Sequence, residues 1–109
     1  MKTSLLVLTL AAAGFAQTPN AQNGKKLFER FGCYQCHQHE GQGAAATGPR
    51  LAPRPIPYAN FTKYVRQPTG QMPPYTAKVV KDSDLADIYA FLQSRPEPPA
   101  VKDTPLLNQ

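Results

Sequence analysis

The 109-residue sequence contains no tryptophan and only two cysteines, and its two methionines include the initiator. Because Cys33 and Cys36 belong to one short motif, no cysteine is left for a disulfide between distant segments. A chain of this size buries only a marginal apolar core by itself. The mature sequence also lacks internal repeats, an apolar run of about 20 residues and clusters of Lys or Arg. These absences exclude a repeat architecture, a membrane-spanning bundle and a typical nucleic-acid-binding surface.

Residues 1–16 have the pattern of a secretory signal peptide. Lys2 supplies a positive charge, residues 4–13 are almost all apolar or small, and residues 14–16 place small side chains at a cleavage site. The apolar run is shorter than the roughly 20 residues of a membrane helix, which favours cleavage before Gln17 over an uncleaved anchor. We therefore predict a periplasmic protein with no stable membrane span in its mature chain.

The mature chain is predicted to consist of one domain, residues 17–95, followed by a Pro-rich C-terminal tail, residues 96–109. Removal of Lys2 from the 12 Lys and Arg leaves 11 against 7 Asp and Glu, a net charge of +4. This moderate basic character suits a protein partner that is acidic at its docking surface, and it does not suit nucleic acid.

The motif Cys33-Tyr34-Gln35-Cys36-His37 is the strongest chemical signal in the sequence. Residues three and four apart share one face of a helical turn, so Cys33, Cys36 and His37 converge on one side. The two thiols can then form thioethers with the two vinyl groups of one haem, with the His37 imidazole beneath the iron. The pattern predicts one covalently attached haem c.

Two other kinds of site share part of this motif. A C-x-x-C pair also occurs in thioredoxin-like dithiol proteins, but those place it in a βαβ context, and no strand pattern surrounds it in this sequence. A structural zinc site needs four ligands, and only His39 lies close to the motif. These considerations favour haem over a dithiol or a zinc ion.

Apolar periodicity predicts three helices, at residues 21–31, within residues 58–67, and from residue 82 or 83 to about residue 94. Asn20 or Asn23 is the expected N-cap of the first helix. The predicted apolar faces consist of Gly24, Leu27, Phe28 and Phe31 in the first helix, Phe61, Tyr64 and Val65 in the second, and Leu85, Ile88, Tyr89 and Leu92 in the last.

The first and last helices are expected to cross. Gly24 permits a close approach, and Phe28 is predicted to pack against Tyr89 where the helices meet. Segments 41–57 and 68–75 are rich in Gly, Ala or Pro and are predicted to be loops. Three acidic residues are expected in the first turns of the last helix, where they stabilise its positive end: Asp82, Asp84 and Asp87.

Four features follow one another in the order typical of small class I cytochromes c. They are a first helix with Gly24 and Phe28, the motif at residues 33–37, Gly48-Pro49-Arg50-Leu51, and Met72-Pro73-Pro74-Tyr75 before an aromatic-bearing last helix. Over residues 21–95 the chain resembles this bacterial mono-haem family. The resemblance implies an all-α cytochrome c fold, in which three to four short helices with long Pro/Gly-rich loops wrap around one covalently bound haem.

The resemblance also implies roles for residues outside the motif. Pro49 would accept a hydrogen bond from Nδ1–H of His37, which fixes the tautomer and makes the imidazole a better iron ligand. Leu51 would pack against the haem face. Met72 is the expected second axial ligand, since it is the only methionine left after signal cleavage. His39 is too close to His37 in sequence to reach the opposite face of the haem.

The segment between His37 and Met72 is short for this family, so the loops that cover the haem propionates must also be short. The candidate propionate partners are Arg50, Arg54, Tyr58 and Asn60. A basic rim for the acidic partner is expected around the exposed haem edge, near Cys33, Tyr34 and the Met72 loop. Its candidate members are Lys25, Lys26, Lys63, Arg66, Lys78 and Lys81.

Axial ligation by His37 and Met72 leaves no coordination position on the iron for a substrate. The predicted function is outer-sphere one-electron transfer by a periplasmic carrier that is not an enzyme. Such a carrier relays electrons between a dehydrogenase or respiratory complex and its acceptor. The alternatives are a haem enzyme or gas sensor with a labile distal ligand, and a module without haem that uses a dithiol or another metal.

The Pro-rich tail ends close to an apolar pair, Leu106 and Leu107. Pro-rich segments are stiff and extended, so they lose little entropy on docking. The pair is a candidate anchor for a strap on this domain or on a partner subunit. The other interpretation is a disordered terminus.

Overall fold

A computed structural model describes residues 17–107 of the chain. Its regular structure consists of α1 (Ala21–Arg30), α2 (Tyr34–His37), α3 (Tyr58–Arg66) and α4 (Asp82–Gln93), followed by 3₁₀ turns at Val101–Asp103 and Pro105–Leu107. Residues 17–107 contain no β-strand, and Ala44 and Gly48 form an isolated bridge. The all-α architecture predicted from the sequence is confirmed. The predicted signal peptide, residues 1–16, lies outside the described residues.

The three helices predicted from periodicity correspond closely to α1, α3 and α4. Asn20 is the N-cap of α1, because its side-chain oxygen accepts a hydrogen bond from the Asn23 N–H at 3.0 Å. Gly32 follows the end of α1 with a φ of +77°, a backbone region that favours glycine. At the start of α4, the Lys81 N–H donates to the Asp84 carboxylate at 3.0 Å. In the described part of the chain, no helix is long and apolar enough to cross a membrane.

α1 and α4 cross at Gly24, as the sequence predicted. A Cβ atom at this position would lie 1.9 Å from the carbonyl oxygen of Asp87 and 2.9 Å from Cβ of Phe91, so a side chain here would collide with α4. Phe28 packs against Phe91, with ring centroids 5.4 Å apart. The buried apolar core consists of Leu27, Phe28, Ala52, Phe61, Val65, Val80, Leu85, Ile88, Phe91 and Leu92.

The predicted contact between Phe28 and Tyr89 is wrong. Positions 89 and 91 of α4 point in nearly opposite directions because an α-helix has 3.6 residues per turn. Tyr89 therefore faces α3, with its ring centroid 5.2 Å from that of Phe61, while Phe91 faces α1. The Tyr89 hydroxyl donates to the carbonyl oxygen of Ile56 at 3.0 Å, which joins α4 to the segment before α3.

Two further side chains differ from expectation. Asp87 lies in the middle of α4, and its carboxylate accepts hydrogen bonds from the Asn20 N–H at 2.7 Å and from Asn23 Nδ2 at 2.8 Å. It therefore stabilises the start of α1 and not the start of its own helix. Tyr64 does not face inward, since it is 40% exposed and its hydroxyl donates to the Thr69 carbonyl oxygen at 2.9 Å.

The tail contacts the domain through an exposed ion pair. Arg54 Nη2 lies 3.0 Å from Glu97 Oε2, and the chain then forms the two 3₁₀ turns. Leu106 and Leu107 are 81% and 63% exposed. The structure therefore does not bury this apolar pair against the domain, and a role for the pair as a partner anchor stays a prediction.

Candidate functional site

The Cys33 to His37 motif forms the single helical turn α2. The His37 N–H donates to the carbonyl oxygen of Cys33 at 3.0 Å, which closes the turn. Neither Cys33, which is half-buried, nor Cys36, which is exposed, is in a disulfide. Both thiols and the imidazole therefore belong to one helical turn.

The His37 ring is held from one side. It is 8% exposed, and Nδ1 lies 2.9 Å from the carbonyl oxygen of Pro49. Because a carbonyl can only accept, Nδ1 carries the proton, and the neutral form of the imidazole then has its lone pair on Nε2. A Cβ atom at Gly48 would lie 3.1 Å from His37 Nδ1 and 2.9 Å from the Cys36 carbonyl oxygen. Glycine at this position lets the chain approach the imidazole.

Backbone and hydroxyl hydrogen bonds shape the loop that presents Pro49. The Gly43 N–H donates to the His37 carbonyl oxygen at 2.9 Å, and Thr47 Oγ1 donates to the Cys36 carbonyl oxygen at 2.8 Å. The carbonyl oxygen of Gly41 accepts two backbone hydrogen bonds, one from the Leu51 N–H at 2.8 Å and one from the Ala52 N–H at 3.0 Å. The sequence predicted a loop here, but its internal bonding involves groups that no sequence pattern singled out.

Glu40 connects this loop to α1 and to the segment that follows α4. Its carboxylate accepts from Arg95 Nη1 at 2.5 Å and lies 3.5 Å from Lys25 Nζ on α1. The hydrogen bond from Arg95 is the main reason that the pKa of Glu40 is lowered. This three-residue network was not predicted, because its members lie in three separate segments of the sequence.

Several half-buried apolar side chains pack against the core. Leu51 and Met72 are both among them. The full set consists of Phe31, Cys33, Tyr34, Leu51, Met72, Tyr75 and Tyr89. This set of groups fits a covalently bound haem. It consists of two thiols for attachment, an imidazole Nε2 for the iron, and partly exposed apolar side chains for contact with the ring. Ligation of the iron by His37 and Met72 stays a prediction.

Tyr75 belongs to one of the four features of the resemblance, but the sequence predicted no role for it. Its hydroxyl donates to the carbonyl oxygen of Phe31 at 2.8 Å, at the end of α1. Burial raises the pKa of Tyr75, and Cys33 and Cys36 also raise it, which places the phenol close to the motif. Its position three residues after Met72, in the tetrapeptide Met-Pro-Pro-Tyr, was the available signal.

The chemistry of the cysteines does not support the alternatives to haem. Burial raises the pKa of the Cys33 thiol to about 11, whereas catalytic dithiols lower the pKa of their attacking cysteine. In the described part of the chain, no group of three or more His, Cys, Asp or Glu could hold a metal ion. A thioredoxin-like dithiol and a structural zinc site therefore both lack the required environment.

The candidate propionate partners are placed in different surroundings. Arg54 pairs with Glu97, and Arg50 is exposed. The Tyr58 ring packs edge-on against the Tyr89 ring, with ring centroids 5.0 Å apart, and Asn60 is exposed on α3. The structure therefore does not single out one of the four as a propionate partner.

The candidates for the basic rim fall into two groups. Lys25 pairs with Glu40, and Arg66 turns inward, where its side chain is only 21% exposed. Arg66 is therefore not a free cation of a docking surface, contrary to expectation. The remaining candidates are exposed: Lys26, Lys63, Lys78 and Lys81.

Comparison with known proteins identifies the family. The family model described as cytochrome C oxidase, cbb3-type, subunit III matches residues 19–92. The 4-cresol dehydrogenase (hydroxylating) cytochrome c subunit of Pseudomonas putida is 35% identical over 92 residues, which cover 84% of this chain and 77% of that protein. No solved structure gives a significant match. The chain therefore belongs to the cytochrome c family, whose cofactor is haem c, and it is an electron-transfer protein and not an enzyme.

Proposed function

We propose that this protein is a periplasmic one-electron carrier with a single haem, attached through Cys33 and Cys36 and ligated by His37 and Met72. The observation that carries the proposal is the 2.9 Å bond between His37 Nδ1 and the Pro49 carbonyl oxygen. This bond orients the imidazole and leaves Nε2 available for iron, as hydrogen-bond partners of metal-ligating histidines do at other metal sites.

Each residue of the site has a role that its chemistry explains. The haem, when bound, supplies reversible one-electron chemistry, and the protein sets its potential and access. Leu51, which is half-buried, limits the approach of water to the haem face. Met72 offers a thioether, a ligand that raises the reduction potential of the iron. Ligation on both sides also leaves no position for a substrate, which fits a carrier.

The proposed partner is a redox protein with an acidic docking surface. The matched relative is a cytochrome c subunit of a dehydrogenase, so we propose a dehydrogenase or a respiratory complex as the electron donor. The exposed lysines at positions 26, 63, 78 and 81 supply positive charge for docking. The signal-peptide pattern of residues 1–16 supports a periplasmic location.

Replacement of Met72 tests the ligand set. We expect the wild-type ferric holoprotein to show a weak sulfur-to-iron absorption band. Met72→Ala should keep its covalent haem but lose that band, lower its midpoint potential, and bind azide or cyanide as ferric protein and CO as ferrous protein. Gln71→Ala changes an exposed neighbour and serves as the control. An unchanged potential without ligand binding in Met72→Ala would show that another residue ligates the iron.

The same spectra test the alternative functions. High-spin ferric haem in the wild-type protein would favour a haem enzyme or a gas sensor with a labile distal ligand. Absence of a Soret band would exclude haem altogether.

Salt dependence tests the proposed docking surface. Exposed charges are screened beyond about 8 Å at physiological ionic strength, so electron transfer with an acidic partner should slow as salt is added. Stopped-flow rates over a salt series measure this effect. A rate that does not depend on salt would argue for an apolar contact and against the lysine surface.

A further inference from the structure

Two side chains of α3 hold the backbone on either side of Met72. Before it, the Tyr64 hydroxyl donates to the carbonyl oxygen of Thr69 at 2.9 Å. After it, Arg66 Nη1 donates to the carbonyl oxygen of Tyr75 at 3.1 Å. We refer to Tyr64 and Arg66 as the α3 pair, and to residues 70–74 as the Met72 segment.

Arg66 makes the larger set of contacts. Its Nη1 also donates to the Val80 carbonyl oxygen at 2.6 Å, and its Nη2 donates to Asp82 Oδ1 at 2.7 Å. Hydrogen bonds from a charged donor are stronger than those between neutral groups. One guanidinium therefore joins the end of α3 to Tyr75, to the buried Val80 and to the start of α4.

Tyr75 is further fixed by its own backbone and side chain. Its N–H donates to the Val65 carbonyl oxygen at 3.0 Å, and its hydroxyl donates to the Phe31 carbonyl oxygen at 2.8 Å. Pro73 and Pro74 restrict the backbone between Tyr75 and Met72, because proline fixes φ. Few backbone dihedral angles between Met72 and Tyr75 are therefore free to change, so the fixed position of Tyr75 restricts where Met72 can lie.

The Met72 segment has little structure of its own. Among the described residues, residues 70–74 neither donate nor accept a backbone hydrogen bond. Gly70 has a φ of +112°, and a Cβ atom there would meet nothing within 4 Å. The location of the thioether thus depends on the anchors at both ends of the segment.

We propose that Arg66, assisted by Tyr64, is a positioning residue that keeps the Met72 thioether on the haem iron. This inference rests on the proposed ligation by Met72. A thioether is a soft ligand that binds ferric iron weakly, so the bound fraction depends on how closely the protein confines the sulfur. Loss of the α3 pair should therefore increase the fraction of molecules in which the sulfur has left the iron.

Cyanide binding to the ferric holoprotein measures that fraction, because cyanide enters only where the sulfur has left. Arg66→Gln removes charged hydrogen bonds from the ligated state, which should raise the cyanide affinity about tenfold or more. The sulfur-to-iron band should also disappear at a lower temperature than the unfolding of the helices. Arg30→Gln removes the same charge from an exposed site and should change the affinity less than about twofold.

Further variants separate the contacts of Arg66. Asp82→Asn weakens only the contact to an 89% exposed carboxylate, so it should resemble the wild type. Tyr64→Phe removes one hydroxyl and should raise the cyanide affinity by a smaller factor than Arg66→Gln. Arg66→Lys keeps the charge and should restore part of the wild-type behaviour. If Arg66→Gln does not fold, Arg66→Lys and Tyr64→Phe decide, and wild-type cyanide affinity in both overturns the proposal.

The outcomes distinguish this inference from the proposed function. A wild-type protein without the sulfur-to-iron band, or a Met72→Ala variant that retains it, would contradict the ligation itself. If Met72→Ala loses the band but Arg66→Gln behaves like Arg30→Gln, the ligation stands and the positioning role is wrong.

Discussion

The crossing of α1 and α4 and the haem-motif side of the molecule are built in different ways. At the crossing, Phe28, Leu85 and Phe91 are each 1% exposed and pack against other protein side chains. Around the motif, Leu51 and Met72 remain half-buried, and loops held by individual hydrogen bonds replace packed helices. The crossing is complete as a protein interface, whereas the motif side presents apolar surface that a bound haem would cover.

This difference indicates where the cofactor stabilises the protein. Apolar side chains gain free energy in proportion to the surface that they remove from water. At the crossing this gain comes from the polypeptide alone, but on the motif side it would depend on the proposed haem. Substitutions in the two regions should therefore differ in both the size and the kind of their effects.

The largest effect is expected from removal of haem attachment. Cys33→Ala/Cys36→Ala should eliminate covalent haem and leave a chain without a cooperative thermal transition, because a domain of this size has a marginal core. Haem staining of denatured protein and far-ultraviolet circular dichroism measure the two effects. Gln35→Ala changes the exposed residue between the cysteines and should retain both haem and fold. A stable, folded double variant without haem would show that the motif side does not depend on the cofactor.

Gly24→Val is expected to disrupt the crossing. The Cβ atom would lie 1.9 Å from the Asp87 carbonyl oxygen, so the helices must move apart. We expect the free energy of unfolding of the holoprotein to fall by about 3 kcal/mol or more. Denaturant unfolding measures the change, with the exposed Gln22→Ala on the same helix as the control, expected to shift it by about 0.5 kcal/mol or less. Equal stability of both variants would contradict the close approach.

Phe91→Ala and Leu51→Ala compare the two regions directly. Phe91→Ala should cost about 3–5 kcal/mol of stability, with little change in midpoint potential, because the side chain packs only on protein. Leu51→Ala should cost less stability, since the residue is half-buried, but should lower the midpoint potential by admitting water to the haem face. Denaturant unfolding and redox titration measure the pair. Equal shifts of potential in both variants would remove the distinction between the regions.

The smallest effect is expected at Glu40, which connects the regions. Arg95 lowers the pKa of Glu40 in the folded state. The contact therefore contributes its full stability at pH values above the pKa that Glu40 has in the unfolded chain. This stability is lost as the pH falls through the lower pKa of the folded state. Because the carboxylate is partly exposed, Glu40→Gln should cost about 1 kcal/mol or less at pH 7. The difference from wild type should vanish in acid. Unfolding measured over a pH series tests this, and a difference that persists in acid would assign the effect to packing.

The sequence predicted most of the helices and the order of the site residues. Helical periodicity is a local property, so Ala21–Arg30 and Asp82–Gln93 could be located from residues three and four apart. Partner choice between helices is not local. Tyr89 and Phe91 are both aromatic residues of α4, and only the rotation of α4 about its own axis determines which of them faces Phe28. The inward turn of Arg66 was missed for the same reason, because its acceptors belong to residues 75–82.

The sequence by itself determined the family of this protein and predicted its chemistry, because two thiols and an imidazole at the spacing of one helical turn are the attachment pattern of a covalent haem and need no distant partners. The tertiary structure alone decided how that turn is supported. It set the 2.9 Å distance between His37 Nδ1 and the Pro49 carbonyl oxygen, a contact that the family resemblance had already implied, and it directed Arg66 to the backbone that follows Met72, which no sequence feature had implied. Such contacts depend on how separate segments pack in three dimensions, and no spacing along the chain records that packing.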